Sequence, residues 1–278
     1  MGRVVSIWRY PLKSARGERL RAVHVSYAGV RGDRIWGCLD VADGTVASVK
    51  HPLRWGRLLS VRAAFIGGEG SGDGETAVTL HVPGRSAWPA GSAEADDALS
   101  AHLGRGVRLT TVVPEDARLH RRLPDDPGLV PEWVTGDPGE ELVTKIAGAT
   151  PGGRFVDYGP VHLVTTGELA RLGRSFGRFD VSAVRFRPNL VIDAPADPVP
   201  GQELVAGDVV LRVSLPTPRC VVPGLDHGTA PEDRALLAAL ARHHRTEVPE
   251  RGLAACFGAY AEVVQGGRLR VGQDVRLG

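Results

Sequence analysis

Turn-forming residues punctuate the N-terminal third of this chain so closely that only strand-length runs fit between them. Arg16-Gly17, the run Gly29-Val30-Arg31-Gly32-Asp33, and Asp43-Gly44 separate short apolar runs at Val4–Trp8, Leu20–Tyr27, Ile35–Leu39, Leu58–Ile66 and Ala77–Val82. Many short strands joined by close turns predict a small barrel or sandwich. The glycine-rich run Gly67–Gly74 reads as a flexible hairpin tip, because no Gly-Lys-Ser/Thr follows to make it a phosphate loop.

Helical spacing enters later. Ala95, Leu99 and Leu103 recur every fourth residue and predict a helix over Ala93–Leu103, stopped by Gly104. A strand over Val107–Val113 follows. Residues 114–154 are rich in Pro, Gly, Asp and Arg and read as a linker or a long active-site loop. Their basic run, Arg118 to Arg122, reads as a solvated face that can also meet an anionic ligand. Tyr158–Val164 is a strand, and Thr165-Thr166-Gly167-Glu168 has the capping-box form, opening a helix with Leu169, Leu172 and Phe176 on its buried stripe. Leu190–Ile192 and Val209–Leu215 read as strands, and Asp233–His244 as a helix facing inward through Leu236, Leu237 and Leu240. Tyr260–Val264 and Arg268–Val271 flank Gly266-Gly267 as a terminal hairpin. The fold class is mostly β with a few helices (α+β).

Length and charge narrow the function. A chain of 278 residues, 42% of them hydrophobic, supports one large domain or two small ones. With 34 basic against 32 acidic residues, it lacks the basic excess of a nucleic-acid binder. Arginine dominates the cations; Lys13, Lys50 and Lys145 are the only lysines. Cys38, Cys220 and Cys256 form no CxxC pair and no disulfide framework, which fits a reducing cytoplasm. No signal-peptide core follows Met1, and no run approaches the roughly 20 apolar residues of a membrane helix.

Four segments combine polar side chains with stiff turns. Cys220 follows the strand Val209–Leu215 in a loop stiffened by Pro216, Pro218 and Pro223, directly after Arg219. It reads either as a reactive or ligating thiol or as a partly buried structural cysteine. Tyr10-Pro11-Leu12-Lys13-Ser14 offers an ammonium, a hydroxyl and backbone amides in one turn, which suits an anion or a solvated surface equally. Arg34, in Gly32-Asp33-Arg34-Ile35-Trp36, reads as a cation for a ligand or as half of a surface pair with Asp33. In Arg185-Phe186-Arg187-Pro188-Asn189, Arg187 can fork onto a phosphate or carboxylate while Asn189 donates and accepts. Together they propose an anionic ligand held by Lys13, Arg34 and Arg187 near a thiol. His227 lies close enough in sequence to Cys220 to reach the same place; His243-His244 end a helix where positive charge suits the dipole. Cys38 and Cys256 read as packing residues.

In this order the segments resemble the MOSC superfamily. Tyr10-Pro-x-Lys-Ser-x-x-Gly17 and Gly32-Asp-Arg-x-Trp36 are similar to the β-barrel domain that precedes MOSC in many members. Phe186-Arg-Pro-Asn189, Gly207-Asp208, Arg219-Cys220 and the ending Val271–Leu277 are similar to the MOSC domain itself. The resemblance covers nearly the whole chain. It implies an N-terminal barrel-like domain at 1–113, a linker or loop at 114–154, and a MOSC barrel at 155–278. Within the superfamily the chain resembles the mitochondrial amidoxime-reducing component and its bacterial counterparts. That likeness implies a molybdenum–molybdopterin cofactor and reduction of N-hydroxylated or N-oxide-type small molecules. Cys220 would ligate molybdenum; Lys13, Ser14, Arg34, Thr165, Thr166, Arg187, Asn189 and Arg219 would hold the pterin and its phosphate. Three cysteines cannot supply the four ligands of an iron–sulfur cluster, so the electrons would come from a separate ferredoxin- or flavoprotein-type donor. Pro218 stands where the amidoxime reductases have a serine. That departure leaves room for a molybdopterin or persulfide carrier, or for a specialised biosynthetic enzyme on the same fold.

Overall fold

A computed structural model describes residues 2–66, 77–146 and 153–278; the glycine-rich run Gly67–Gly74 lies outside the described residues. The chain is mostly β, and its largest element is a closed barrel. Seven strands follow one another around it: Val161–Thr165, Leu190–Asp193, Gly2–Arg9, Asp274–Leu277, Glu203–Ala206, Val209–Pro218 and Gly252–Gln265. Pairing of Val161 with Ala261 closes the ring. Val161–Thr165 and Leu190–Asp193 run parallel. A parallel pair requires a crossover, here supplied by the helix Thr166–Ser175 between them.

Side-chain alternation sorts the two faces of the barrel wall. One apolar cluster draws on every barrel strand, including Val4, Ile7, Leu163, Leu190, Leu204, Leu211, Val263 and Val275. The opposite-facing Val164 and Val191 join a second cluster, where Leu172, Leu236 and Leu240 of the helices Thr166–Ser175 and Arg234–His243 cover the outside of the wall. The first strand therefore belongs to the barrel rather than to the sheets that follow it in sequence. A third cluster, around Trp55, Leu58, Leu80 and Leu99, holds together the helix Ala93–Leu103, the short helix Pro52–Trp55 and the sheet of Arg62–Phe65, Val78–His81 and Ala87–Pro89.

Several expectations are met in detail. The helix Ala93–Leu103 ends at Gly104 with φ 70°, and Thr165 caps its helix by accepting from the Glu168 amide at 3.4 Å. Others are corrected. Glu168 does not reach back to Thr165, because Asp197 already accepts from the Thr165 amide at 2.8 Å; Glu168 pairs with Arg171 instead. The expected terminal hairpin does not form. Gly267–Arg270 pairs with Ala22–Ser26, and a Cβ at Gly266 would sit 2.7 Å from the Val25 carbonyl, so the glycine permits that close pass. Within the stretch 114–154, read as a linker or a long active-site loop, regular structure is present. Arg118–Arg122 and Glu141–Lys145 form an antiparallel hairpin, and Leu119, Leu123 and Leu129 are buried. Among the described residues, no helix is long and apolar enough to cross a membrane.

Candidate active site

A cavity of about 290 Å³ opens where the barrel, the N-terminal cluster and the hairpin 118–145 meet. Seven of the residues singled out from the sequence line it: Lys13, Ser14, Arg34, Arg187, Asn189, Arg219 and Cys220. They arrive from turns at strand ends, where backbone leaves a ladder and can turn toward a ligand.

The turn after the first barrel strand delivers Lys13 and Ser14. Lys13 and Trp36 share a backbone hydrogen bond of 2.9 Å, and Ser14 Oγ accepts from the Val49 amide at 3.2 Å. Lys13 is buried, with Nζ 2.6 Å from Asp157 Oδ1 and 3.2 Å from the Phe155 carbonyl. Burial pulls its ammonium down to about 8, against the upward pull of Asp157. The Arg34 turn is tied to the same strand end, since Asp33 accepts from the Tyr10 amide at 2.7 Å. Arg34 and Asp33 form an ion pair with side-chain exposures of 16% and 1%, so it is a buried pair and not the surface pair that sequence allowed.

Arg187 packs its guanidinium 4.4 Å from the Tyr10 ring centroid and donates through Nη1 to the Ala15 carbonyl at 2.7 Å. Its Nη2 is buried with no partner among the described residues. Burial and the neighbouring Arg34 lower its guanidinium to about 10, still charged at neutral pH. Arg219 donates to the Phe186 carbonyl at 3.2 Å, and its Nε is likewise buried and unpartnered. Cys220 lines the cavity beside it, half-buried against the N-terminal cluster. Ser14, Arg34 and Arg187 adopt φ values of 67°, 50° and 54°; among the described residues, only Glu250 joins them as a non-glycine residue in the left-handed region. That conformation is disfavoured for residues with a Cβ, and its concentration on one cavity marks a built site.

Other residues from the sequence reading serve different ends. Asn189 lines the cavity, but its amide staples the barrel: Oδ1 accepts from the His162 amide at 3.0 Å and Nδ2 donates to the Trp8 carbonyl at 3.3 Å. Thr165 and Thr166 are not brought to the cavity wall; their hydroxyls bond Asp197 at 2.8 Å and Asp193 at 2.7 Å. His227 is buried, with Nε2 on the Val222 carbonyl at 2.9 Å, bracing the turn after Cys220. Burial lowers its imidazole to about 4, so it is neutral there.

Sequence reasoning missed much of the wall. Lys50 meets Asp157 at 3.1 Å, making Asp157 the shared partner of two lysines. Burial alone would raise the Asp157 carboxyl, but Lys13 and Lys50 outweigh it and hold the group well below its usual range. His162 also lines the cavity; burial, then Arg219 and Arg34, keep its imidazole neutral. A usable signal was present: all three lysines of an arginine-dominated chain line this cavity. Among the described residues, the cavity wall carries nine cationic side chains and a single carboxylate, that of Asp157. Such an arrangement attracts and orients an anionic ligand.

Residues 1–98 match the family model described as the MOSC N-terminal beta barrel domain. Residues 152–276 match that of the MOSC domain. The chain is similar to mitochondrial amidoxime reducing component 2 of Rattus norvegicus, with 31% identity over 127 residues; the match covers 44% of this chain and 37% of that protein. Among solved structures, it resembles the YuaD protein from Bacillus subtilis with a TM-score of 0.46 and 12% identity, covering 99% of this chain and 94% of the other. YiiM from Geobacillus stearothermophilus aligns with a TM-score of 0.32 and 19% identity, covering 43% of this chain and 54% of its own.

Proposed function

We propose that this chain, which matches both the MOSC N-terminal barrel domain and the MOSC domain, is a molybdenum-cofactor oxidoreductase that reduces N-hydroxylated small molecules. The observation carrying this reading is the pair of buried, unpartnered donors, Arg187 Nη2 and Arg219 Nε, in a cation-rich cavity that also presents the Cys220 thiol. Buried donors without partners cost stability, so their natural complement is a ligand bearing acceptor oxygens.

The donor set fits a phosphate-bearing pterin with a thiolate-ligated metal. Lys13, Arg34, Arg187 and Arg219 would hold the anionic part, and Cys220 would ligate molybdenum, a soft donor suited to that metal. When bound, the molybdenum centre supplies the two-electron chemistry that removes oxygen from an N–O bond. The chain's own contribution is positional. Asp157 fixes the Lys13 and Lys50 ammonium groups, the Tyr10 ring supports the Arg187 guanidinium, and the neutral His162 adds no further positive charge to the wall. Electrons come from a separate donor protein.

The test is reduction of benzamidoxime to benzamidine by the metal-loaded protein with a reduced viologen as artificial donor. Turnover that Cys220→Ala abolishes supports the reading. Absence of turnover in protein shown to contain molybdenum and pterin contradicts it.

A further inference from the structure

We propose that His120 is a pH-sensitive clamp that docks the hairpin of Arg118–Arg122 and Glu141–Lys145 against the N-terminal part of the chain, and so completes the cationic wall of the cavity. The inference does not depend on the reaction carried out there. The hairpin brings Arg121, Arg122 and Lys145 to the cavity. Its edge meets the N-terminal part through two backbone hydrogen bonds, from the Val46 amide to the Arg118 carbonyl at 2.7 Å and from the Arg122 amide to the Lys50 carbonyl at 2.9 Å. The antiparallel register, with His120 opposite Val143 and Arg122 opposite Glu141, puts His120 and Glu141 on one face and Leu119 and Arg121 on the other.

His120 lies between two carboxylates from different parts of the chain. Its Nε2 is hydrogen-bonded to Oδ2 of Asp43 at 3.0 Å, in the turn after the strand Gly37–Asp40. Its Nδ1 is 2.5 Å from Glu141 Oε1, on the hairpin itself. A ring with both protons offers an N–H to each carboxylate. A neutral ring has one proton for two carboxylates, so one nitrogen lone pair faces an anionic oxygen at contact distance. Losing the proton turns an attraction into a repulsion between the hairpin and its dock.

The surrounding charges do not replace this bridge. Arg105 is 4.0 Å from Asp43 Oδ2, and its Nε meets Asp40 at 2.5 Å. Arg54 is 3.7 Å from Asp43 Oδ2 and 3.0 Å from Glu141 Oε1, and it keeps its charge at any working pH. His51 Nε2 is 2.9 Å from Glu141 Oε2, while its Nδ1 accepts from the Arg54 amide at 3.3 Å, so its contacts are complete in the neutral ring. Burial pushes the carboxyls of Asp43 and Glu141 up. Thr45 and His120 at Asp43, and His51, Arg54 and His120 at Glu141, outweigh it and hold both below their ordinary values. Both carboxylates therefore stay charged across the range in which histidine titrates, and His120 is the member of the bridge that switches.

The experiment is hydrogen exchange, read by NMR, at the Val46 and Arg122 amides, whose bonds span the dock. Their protection is referred to the Val213 amide, which bonds the Gln202 carbonyl in the barrel at 2.9 Å, so that the base catalysis of exchange cancels. In the wild-type protein the ratio is expected to fall about tenfold from about pH 5 to about pH 8. His120→Gln is expected to give the low ratio throughout. Asp43→Asn, at a partly exposed position, is expected to shrink the fall and serves as the second variant if His120→Gln does not fold. A constant ratio in the wild-type protein overturns the proposal, as does a fall that persists unchanged in either variant.

Discussion

Arg34 donates through Nη2 to the backbone carbonyl of Arg187 at 3.2 Å, and both residues hold left-handed backbone, with φ of 50° and 54°. One comes from the turn after the strand Gly29–Val30 and the other precedes the strand Leu190–Asp193. The contact therefore locks two distant chain segments together at the cavity, and each pays in backbone strain for presenting a cation there.

Strain and ligand binding are separable at Arg187. Arg187→Ala keeps the strained backbone and loses the guanidinium; Arg187→Gly loses the guanidinium and relieves the strain. The glycine variant is expected to be more stable than the alanine variant by about 1 kcal/mol, with the same loss of pterin content. Denaturant midpoints read the first quantity and pterin fluorescence after extraction the second.

Lys13 sets a pH window. Its folded value of about 8 lies below the ordinary 10.5, so its charged form is disfavoured by folding. That cost is fully present below about 8 and fades as pH rises toward 10.5. Anion binding has the opposite trend: affinity falls as pH rises through about 8 and Lys13 loses its proton. Asp157→Asn removes the charge that supports the ammonium and should move the fall to lower pH. Titrating inorganic phosphate or pyrophosphate binding against pH in both proteins checks this.

Gly258 has φ 78°, and a Cβ there would sit 2.5 Å from the Leu163 carbonyl and 2.6 Å from His162 Nε2. Gly258→Ala is expected to destabilise the barrel by about 1–3 kcal/mol and to displace His162 in the cavity wall. Thermal denaturation measures the first effect and the His162 ring resonances the second.

Asp197 binds both Thr165 and the Gly258 amide. Burial raises its carboxyl to about 6, against the pull of those hydrogen bonds. The raised value means that stability present below the ordinary 3.8 declines as pH climbs through about 6. Asp197→Asn should flatten that part of the stability–pH profile while costing about 1–3 kcal/mol, because one acceptor oxygen becomes a donor facing the Gly258 amide.

Local patterns were legible in the sequence and long-range ones were not. The alternation of Val209–Leu215 and the spacing of Ala95, Leu99 and Leu103 are decided by neighbours a few residues away; the helix forms as read, and the strand forms but runs on through Pro216 to Pro218, where the sequence reading placed a loop. The membership of Gly2–Arg9 in the barrel depends on pairing with Leu190–Asp193 and Asp274–Leu277, which no local period encodes. The same holds for the site. Lys13, Arg34, Arg187, Arg219 and Cys220 stood out because each sits beside a proline or glycine turn. Nothing local marks Lys50 and Asp157 as a pair, and only the fold makes them partners of Lys13. Residues 114–154 look like a loop because Pro, Gly and charged residues dominate, yet Leu119, Leu123 and Leu129 are buried and line the cavity.

The central claim is that Cys220 and the cations around it hold a molybdenum–pterin cofactor. The most direct test is the molybdenum and pterin content of wild-type and Cys220→Ala protein, purified from a host that makes the cofactor. Near-stoichiometric molybdenum in the wild type, with its loss in a folded Cys220→Ala variant, is the predicted result. Equal molybdenum in both proteins, or none in a well-folded wild type, would contradict the account.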